Sequence, residues 1–211
     1  MSDNTIDPSK NKEMQTLDQA FWENRYLLNE TGWDLGEVSP PLKAYIDQLT
    51  DKNLRILIPG CGNTYEAEYL LNNGFTNITV IDISPTLIEN LKTKFNNNIN
   101  IKIILGDFFA LEGAFDLIIE QTFFCALDRT LRQLYCDKMY SLLSNNGKLV
   151  GLLFNREFEA AGPPFGGCEE EYRQLFSEKF DIITLANSYN SFFKRANSEL
   201  FTIFKKKKIA A

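Results

Sequence analysis

The chain of 211 residues contains no histidine. That absence removes the side chain whose unperturbed pKa lies closest to neutrality, and with it every Ser/His or Cys/His nucleophilic pair. Hydrolase chemistry is therefore not expected, whereas a reaction driven by holding two reactants in line survives the constraint. The four cysteines, Cys61, Cys125, Cys136 and Cys168, form no Cys-x-x-Cys pair, so no metal is assigned and no disulfide framework is expected. Positive charge is also scarce: 22 Lys and Arg against 28 Asp and Glu give a formal net charge of −6. Such a chain has no broad field to attract a phosphate backbone, and nucleic acid is not expected as a partner. The basic run Lys205-Lys206-Lys207-Lys208 reads as a solvated tail. No apolar run approaches the roughly 18 residues of a membrane span, and the polar first residues lack the apolar core of a signal sequence. A cytoplasmic monomer acting on a small molecule is the expectation.

What is present is a core: 44% of the residues are hydrophobic, enough for one domain. Residues 1–12 are polar and expected to fray. Residues 13–211 form the domain, divided into an N-terminal lid segment (13–50) and a core (51–211). In the lid, Leu17, Phe21, Trp22, Tyr26 and Leu27 recur at helical spacing and predict a helix over 16–28. Thr31-Gly32 breaks it, and Pro40-Pro41 opens a second helix that runs to Leu49. From residue 54 onward short apolar runs alternate with amphipathic stretches. Strands are predicted over 54–59, 78–81, 101–105, 115–120 and 148–154, and helices over 64–73, 85–95 and 127–143. Asn145-Asn146-Gly147 reads as a turn. A helix over 169–177 precedes two closing strands, 180–186 and 200–205, near enough in sequence to pair. This rhythm means an α/β fold with a mostly parallel sheet.

Pro59-Gly60-Cys61-Gly62-Asn63-Thr64 follows the first strand and opens a helix. Glycines there let the backbone approach a ligand, and the helix N-terminus offers free N–H groups. A dinucleotide fingerprint needs a third small residue where this chain carries the bulky Tyr65, so NAD and FAD are disfavoured. A short Gly-x-Gly also makes an ordinary tight turn, and context decides. Asp82 ends the second strand about twenty residues on, where a carboxylate accepts both hydroxyls of a ribose or caps the helix that Ser84-Pro85 starts. Gly106-Asp107-Phe108-Phe109 follows the third strand. It offers an acid for an adenine amino group and an aromatic to flank the ring, at the crevice where open α/β sheets bind ligands. Glu120-Gln121-Thr122-Phe123-Phe124 brings further polar and aromatic groups to that crevice; the two phenylalanines either face it or fill core. Trp22, Tyr26 and Trp33 gather aromatic faces on the first helix and the loop after it. They suit a sulfonium, a soft cation wrapped in methyl and methylene groups, or they form the stripe that docks the helix.

Together these residues resemble the thiopurine S-methyltransferase superfamily, and within it the thiol, thiocyanate and halide methyltransferases. The resemblance spans residues 21–205. It is carried by Trp22-x-x-x-Tyr26, Trp33-Asp34-x-Gly36, Pro59-Gly60-Cys61-Gly62, Asp82-Ile83-Ser84, Asp107-Phe108, Phe123-Phe124-Cys125-Ala126 and Gly162-Pro163-Pro164-Phe165. It implies a Rossmann-like class I methyltransferase fold, with a sheet of about seven strands, the last antiparallel, and helices on both faces. It also implies S-adenosylmethionine as cofactor and S-adenosylhomocysteine as product. Trp22, Tyr26, Trp33, Gly60, Asp82, Asp107, Phe108 and Gln121 fall where the family holds that cofactor, and Gly62 and Ile83 are expected to bind it beside them. The acceptor is expected among Phe123, Phe124, Arg156, Pro163, Pro164, Phe165 and Tyr172. Tyr26 stands where halide and thiol members often carry tryptophan. Gln121 stands where thiopurine members often carry arginine, which points away from aromatic thiols. The implied reaction is methyl transfer to a thiol, sulfide, thiocyanate or halide, by proximity and without an assigned catalytic base. An aromatic-thiol S-methyltransferase and a non-catalytic cofactor sensor are the alternatives.

Overall fold

A computed structural model describes residues 16–160 and 162–208; the segment 1–12, expected to fray, lies outside them. Among the described residues the short apolar runs form seven strands: β1 (Ile56–Pro59), β2 (Ile78–Asp82), β3 (Ile101–Leu105), β4 (Phe115–Gln121), β5 (Leu143–Phe154), β6 (Phe180–Asn187) and β7 (Glu199–Lys206). They make one sheet in the order β3-β2-β1-β4-β5-β7-β6. β7 runs antiparallel to both β5 and β6, and the remaining neighbours are parallel. The strand order reverses between β1 and β4, and at such a point the connections diverge to leave a crevice above the strand carboxyl ends.

Among the described residues six α-helices cover the sheet: α1 (Gln19–Leu27), α2 (Pro40–Ile46), α3 (Tyr65–Asn72), α4 (Pro85–Lys94), α5 (Arg132–Leu142) and α6 (Glu169–Ser177). Successive strand residues point to opposite faces, so β1 feeds two cores. Leu57 joins Ile118, Tyr135, Met139, Phe176 and Phe204 beneath α5 and α6. Ile56 and Ile58 join Leu42, Leu70, Val80 and Ile88 beneath α2, α3 and α4. Each such side chain contributes about 1.5–3 kcal/mol on burial, and the two-sided burial explains why the central strands read as unbroken apolar runs.

Two expectations are corrected. The helix predicted over 127–143 begins at Arg132, because the Asp128 carboxylate accepts from the Thr130 N–H at 2.8 Å and closes a separate turn at Arg129–Leu131. The turn read at Asn145-Asn146-Gly147 lies within β5. Phe115 pairs with Leu143 and Leu117 with Lys148, so extra residues bulge from β5 there, with Asn146 at φ 65°. Asn tolerates that left-handed conformation better than most residues.

Candidate active site

Four parallel strands end at one crevice, and each end contributes a different group. After β1 the chain turns through Gly60 at φ 53° and Gly62 at φ 51°. Gly60 has no substitute: a Cβ there would sit 2.2 Å from Cδ2 of Phe123. At the end of β2, Asp82 is 8% exposed. Its two oxygens accept from the Gly62 N–H at 3.2 Å and the Ser84 N–H at 3.1 Å. Burial pushes this carboxyl above its ordinary range against the pull of those backbone donors, and each oxygen keeps a lone pair for a further hydroxyl. Past β3, Asp107 is exposed and accepts from the Phe109 N–H at 2.9 Å, while Phe108 is buried. Past β4, the Gln121 Oε1 is buried without a partner among the described residues, as is the Thr64 Oγ1 at the start of α3.

α1 and residues 28–39 roof this floor. Asp18 caps α1 by accepting from the Phe21 N–H at 3.0 Å. Glu23, on the same helix, accepts from the Ser84 hydroxyl at 2.5 Å, the Thr86 N–H at 3.1 Å and the Thr86 hydroxyl. The Trp33 ring stands edge-on to Trp22 at 5.6 Å and to Tyr26 at 5.9 Å. Asp34 accepts from Tyr65 Oη at 3.2 Å and from Asn63 Nδ2, tying the roof loop to α3. From the far side Arg195 donates to the Trp33 carbonyl at 2.6 Å.

Floor and roof enclose a cavity of about 730 Å³. Every residue expected at the cofactor lines it: Trp22, Tyr26 and Trp33 from the roof, Gly60, Gly62, Asp82 and Ile83 from β1 and β2, and Asp107, Phe108 and Gln121 from β3 and β4. Phe123, Pro163 and Pro164 line it from the acceptor side.

The other expected acceptor residues lie outside the cavity. Phe124 is 1% exposed, and its ring packs against Tyr135 at 5.0 Å and Tyr172 at 5.7 Å in the core beneath α5 and α6. Tyr172 is equally buried on the inner face of α6 and donates to the Phe154 carbonyl at 2.7 Å. Arg156 is exposed, with its guanidinium 4.8 Å over the Phe158 ring. Phe165 is held by its backbone, donating to the Cys125 carbonyl at 2.7 Å. Glu120 also points away from the crevice. Its carboxyl accepts from the Phe123 N–H at 2.9 Å, the Phe124 N–H at 3.0 Å and Tyr135 Oη at 2.7 Å. Burial pushes it up to about 7.

Two buried charged residues of the cavity escaped the sequence reading. Arg195 is 8% exposed in the β6–β7 connection and reaches Glu199 at 3.4 Å and the Phe154 ring at 5.5 Å. Glu66, in the first turn of α3, is also 8% exposed. Burial pushes its carboxyl up to about 7, with Arg195 and Lys94 pulling down and Asp34 pushing up. Neither stands in a recognisable motif; only the first turn after Gly-x-Gly marks Glu66.

The site can be set beside known proteins. The family model for thiopurine S-methyltransferase matches residues 17–208. A probable thiol methyltransferase 2 of Arabidopsis thaliana is 32% identical over 173 residues, covering 79% of this chain and 76% of that protein. A thiopurine S-methyltransferase of Acinetobacter baylyi is 30% identical over 191 residues, covering 79% and 87%. Among solved structures, the Burkholderia thailandensis 1,6-didemethyltoxoflavin-N1-methyltransferase with bound S-adenosylhomocysteine superimposes at a TM-score of 0.74, with 15% identity over 90% of this chain and 87% of that one. The Bradyrhizobium japonicum N-methyltransferase NodS, also with S-adenosylhomocysteine, gives 0.68 with 20% identity, over 90% and 100%. These likenesses, and the sheet order with its antiparallel β7, make the fold that of a class I methyltransferase. The chain belongs to the thiopurine S-methyltransferase family and is an S-adenosylmethionine-dependent methyltransferase.

Proposed function

We propose that this enzyme methylates a small soft nucleophile: a thiol, sulfide, thiocyanate or halide. The observation that carries the reading is the acceptor side of the cavity, where Phe123, Phe154, Pro163 and Pro164 make an apolar wall beside one buried cation, Arg195. An apolar wall favours a polarizable atom over a strongly hydrated one, and a guanidinium favours an anion. The relatives named for thiols and thiocyanate point the same way.

The residues present fit the cofactor. Asp82 offers two carboxylate oxygens for ribose hydroxyls, Asp107 an acceptor for the adenine amino group, and Phe108 an aromatic edge beside the ring. Gly60 and Gly62 leave room where side chains would fill the crevice. When bound, S-adenosylmethionine supplies a methyl group activated on a sulfonium. Trp22, Tyr26 and Trp33 present π-faces to that soft cation, each worth roughly 0.5–2 kcal/mol when desolvated. Arg195 holds the acceptor as an anion and raises its population in the cavity, so little proton abstraction is needed. The roof of α1 and residues 28–39 excludes water, which strengthens these interactions and fixes the reactants in line.

The test is formation of S-adenosylhomocysteine with a panel of iodide, thiocyanate, hydrogen sulfide, aliphatic thiols and an aromatic thiol. Turnover is expected with the small anions and thiols. Turnover confined to the aromatic thiol transfers the assignment to the thiopurine type, and silence across the panel places the acceptor outside these classes.

A further inference from the structure

Glu66 is the one buried carboxyl of the cavity to which no other described group donates a hydrogen bond. Its rivals are committed or exposed. Asp82 takes two backbone donors, and Asp34 takes Gly36, Asn63 and Tyr65. Asp18 caps α1 and Glu30 pairs with Arg25, while Asp107 and Glu37 are exposed. Two residues that line the same cavity carry buried acceptors without a partner among the described residues: the Thr64 Oγ1, on a side chain 1% exposed, and the Gln121 Oε1. Thr64 lies two residues before Glu66 at the head of α3, and Gln121 ends β4, the neighbour of β1 in the sheet.

The cofactor of the preceding section carries two cationic centres of different chemistry. A sulfonium has no N–H and is satisfied by aromatic faces. An ammonium is compact, strongly hydrated and carries three donors, so on leaving water it needs oxygen acceptors, one of them charged. The aromatic faces are on the roof, and the uncommitted oxygens lie around the glycine turn. We infer that Glu66 receives the α-ammonium of the cofactor's methionyl tail, with Thr64 Oγ1 and Gln121 Oε1 as the neutral acceptors. The inference rests on the assignment of S-adenosylmethionine. It makes Glu66 a binding residue and not a proton-transfer group. The carboxyl's rise to about 7 in the free protein then adds a pH dependence, since an ammonium selects its ionised form. The charged groups that face it are Arg195, Lys94 and Asp34.

Calorimetry tests this without turnover, using S-adenosylhomocysteine and the analogue that lacks only the α-amino group. Wild-type protein is expected to prefer S-adenosylhomocysteine by about tenfold or more. Glu66→Gln is expected to lose most of that preference while binding the analogue as wild type does. Lowering the pH from 8 to 6 is expected to weaken wild-type binding of S-adenosylhomocysteine and leave the Gln variant nearly flat. Equal wild-type affinity for the two ligands overturns the assignment whether or not the variant folds. So does a full preference retained by Glu66→Gln. An unchanged dissociation constant with kcat lost below pH 7 also overturns it, by making Glu66 a base. If wild-type protein binds neither ligand, the cofactor assignment itself fails.

Discussion

Asp82 and Glu120 are both carboxyls at strand ends, and their surroundings give them opposite tasks. Asp82 spends one lone pair per oxygen on backbone N–H groups and faces the cavity with the rest. Asp82→Ala is therefore expected to raise the S-adenosylmethionine dissociation constant about tenfold to a hundredfold, the worth of one or two charge-assisted bonds. Calorimetry that finds an unchanged constant removes it from the ribose site. Glu120 faces inward and ties Phe123, Phe124 and Tyr135 together beneath the cavity floor. Its carboxyl is raised to about 7 from 4.5, so its contribution to stability is full below pH 4.5 and is lost as the pH rises through 7. Glu120→Gln preserves the geometry, with its oxygen accepting from the two N–H groups and its amide donating to Tyr135 Oη. Relative to wild type the variant is expected to gain on the order of 2 kcal/mol between pH 4.5 and 8. Urea titrations across that range that run parallel for the two proteins refute this.

At the scale of elements, the roof is joined to the core by polar contacts at four places. Gln19 donates to the Ile83 carbonyl after β2, Glu23 binds the head of α4, Asp34 binds α3, and Arg195 binds the carbonyl of Trp33 from the β6–β7 connection. Hydrogen-bonded attachments of this kind open at lower cost than packed apolar ones, as a closing element requires. Glu23→Ala removes the acceptor for Ser84 and Thr86. It is expected to speed dissociation of S-adenosylhomocysteine about three- to tenfold, with thermal unfolding of the free protein nearly unchanged. Stopped-flow dissociation at the wild-type rate argues that the other three attachments suffice. The element scale also shows where the sequence was legible. Strand, glycine turn, helix and acid could be read because each is local: a Gly-x-Gly and a strand-terminal Asp keep their meaning in any sheet of this kind. Arg195 could not, because its place beside Trp33 is made by a connection 162 residues away. For Phe123 and Phe124 the open question was which ring turns inward, and the answer lies in the Glu120 hydrogen bonds, which fix the turn. The helix predicted from 127 failed at its start because a side-chain cap at Asp128 outweighed the apolar repeat.

For the whole molecule, the order β3-β2-β1-β4-β5-β7-β6 places the four polar strand ends on one side of the sheet, with the residues proposed for the cofactor over β1 to β4 and the proposed acceptor wall over β4, β5 and the β6–β7 connection. A ligand that spans this crevice touches both cores and the roof at once, so its binding energy adds to global stability. At a hundredfold excess over its dissociation constant, S-adenosylhomocysteine is expected to add about 2.7 kcal/mol. For a chain of this size that is a rise in melting temperature of roughly 5–10 °C. A melting curve indifferent to the ligand contradicts a site shared by both cores.

The two tryptophans of the chain, Trp22 and Trp33, both lie in the roof and meet edge to face over the cavity. No indole exists elsewhere to dilute their signal. The protein thus carries its own optical reporter: its indole emission, excited where tyrosine does not absorb, comes only from the roof, and any motion of the roof can be timed in unlabelled enzyme as each ligand arrives.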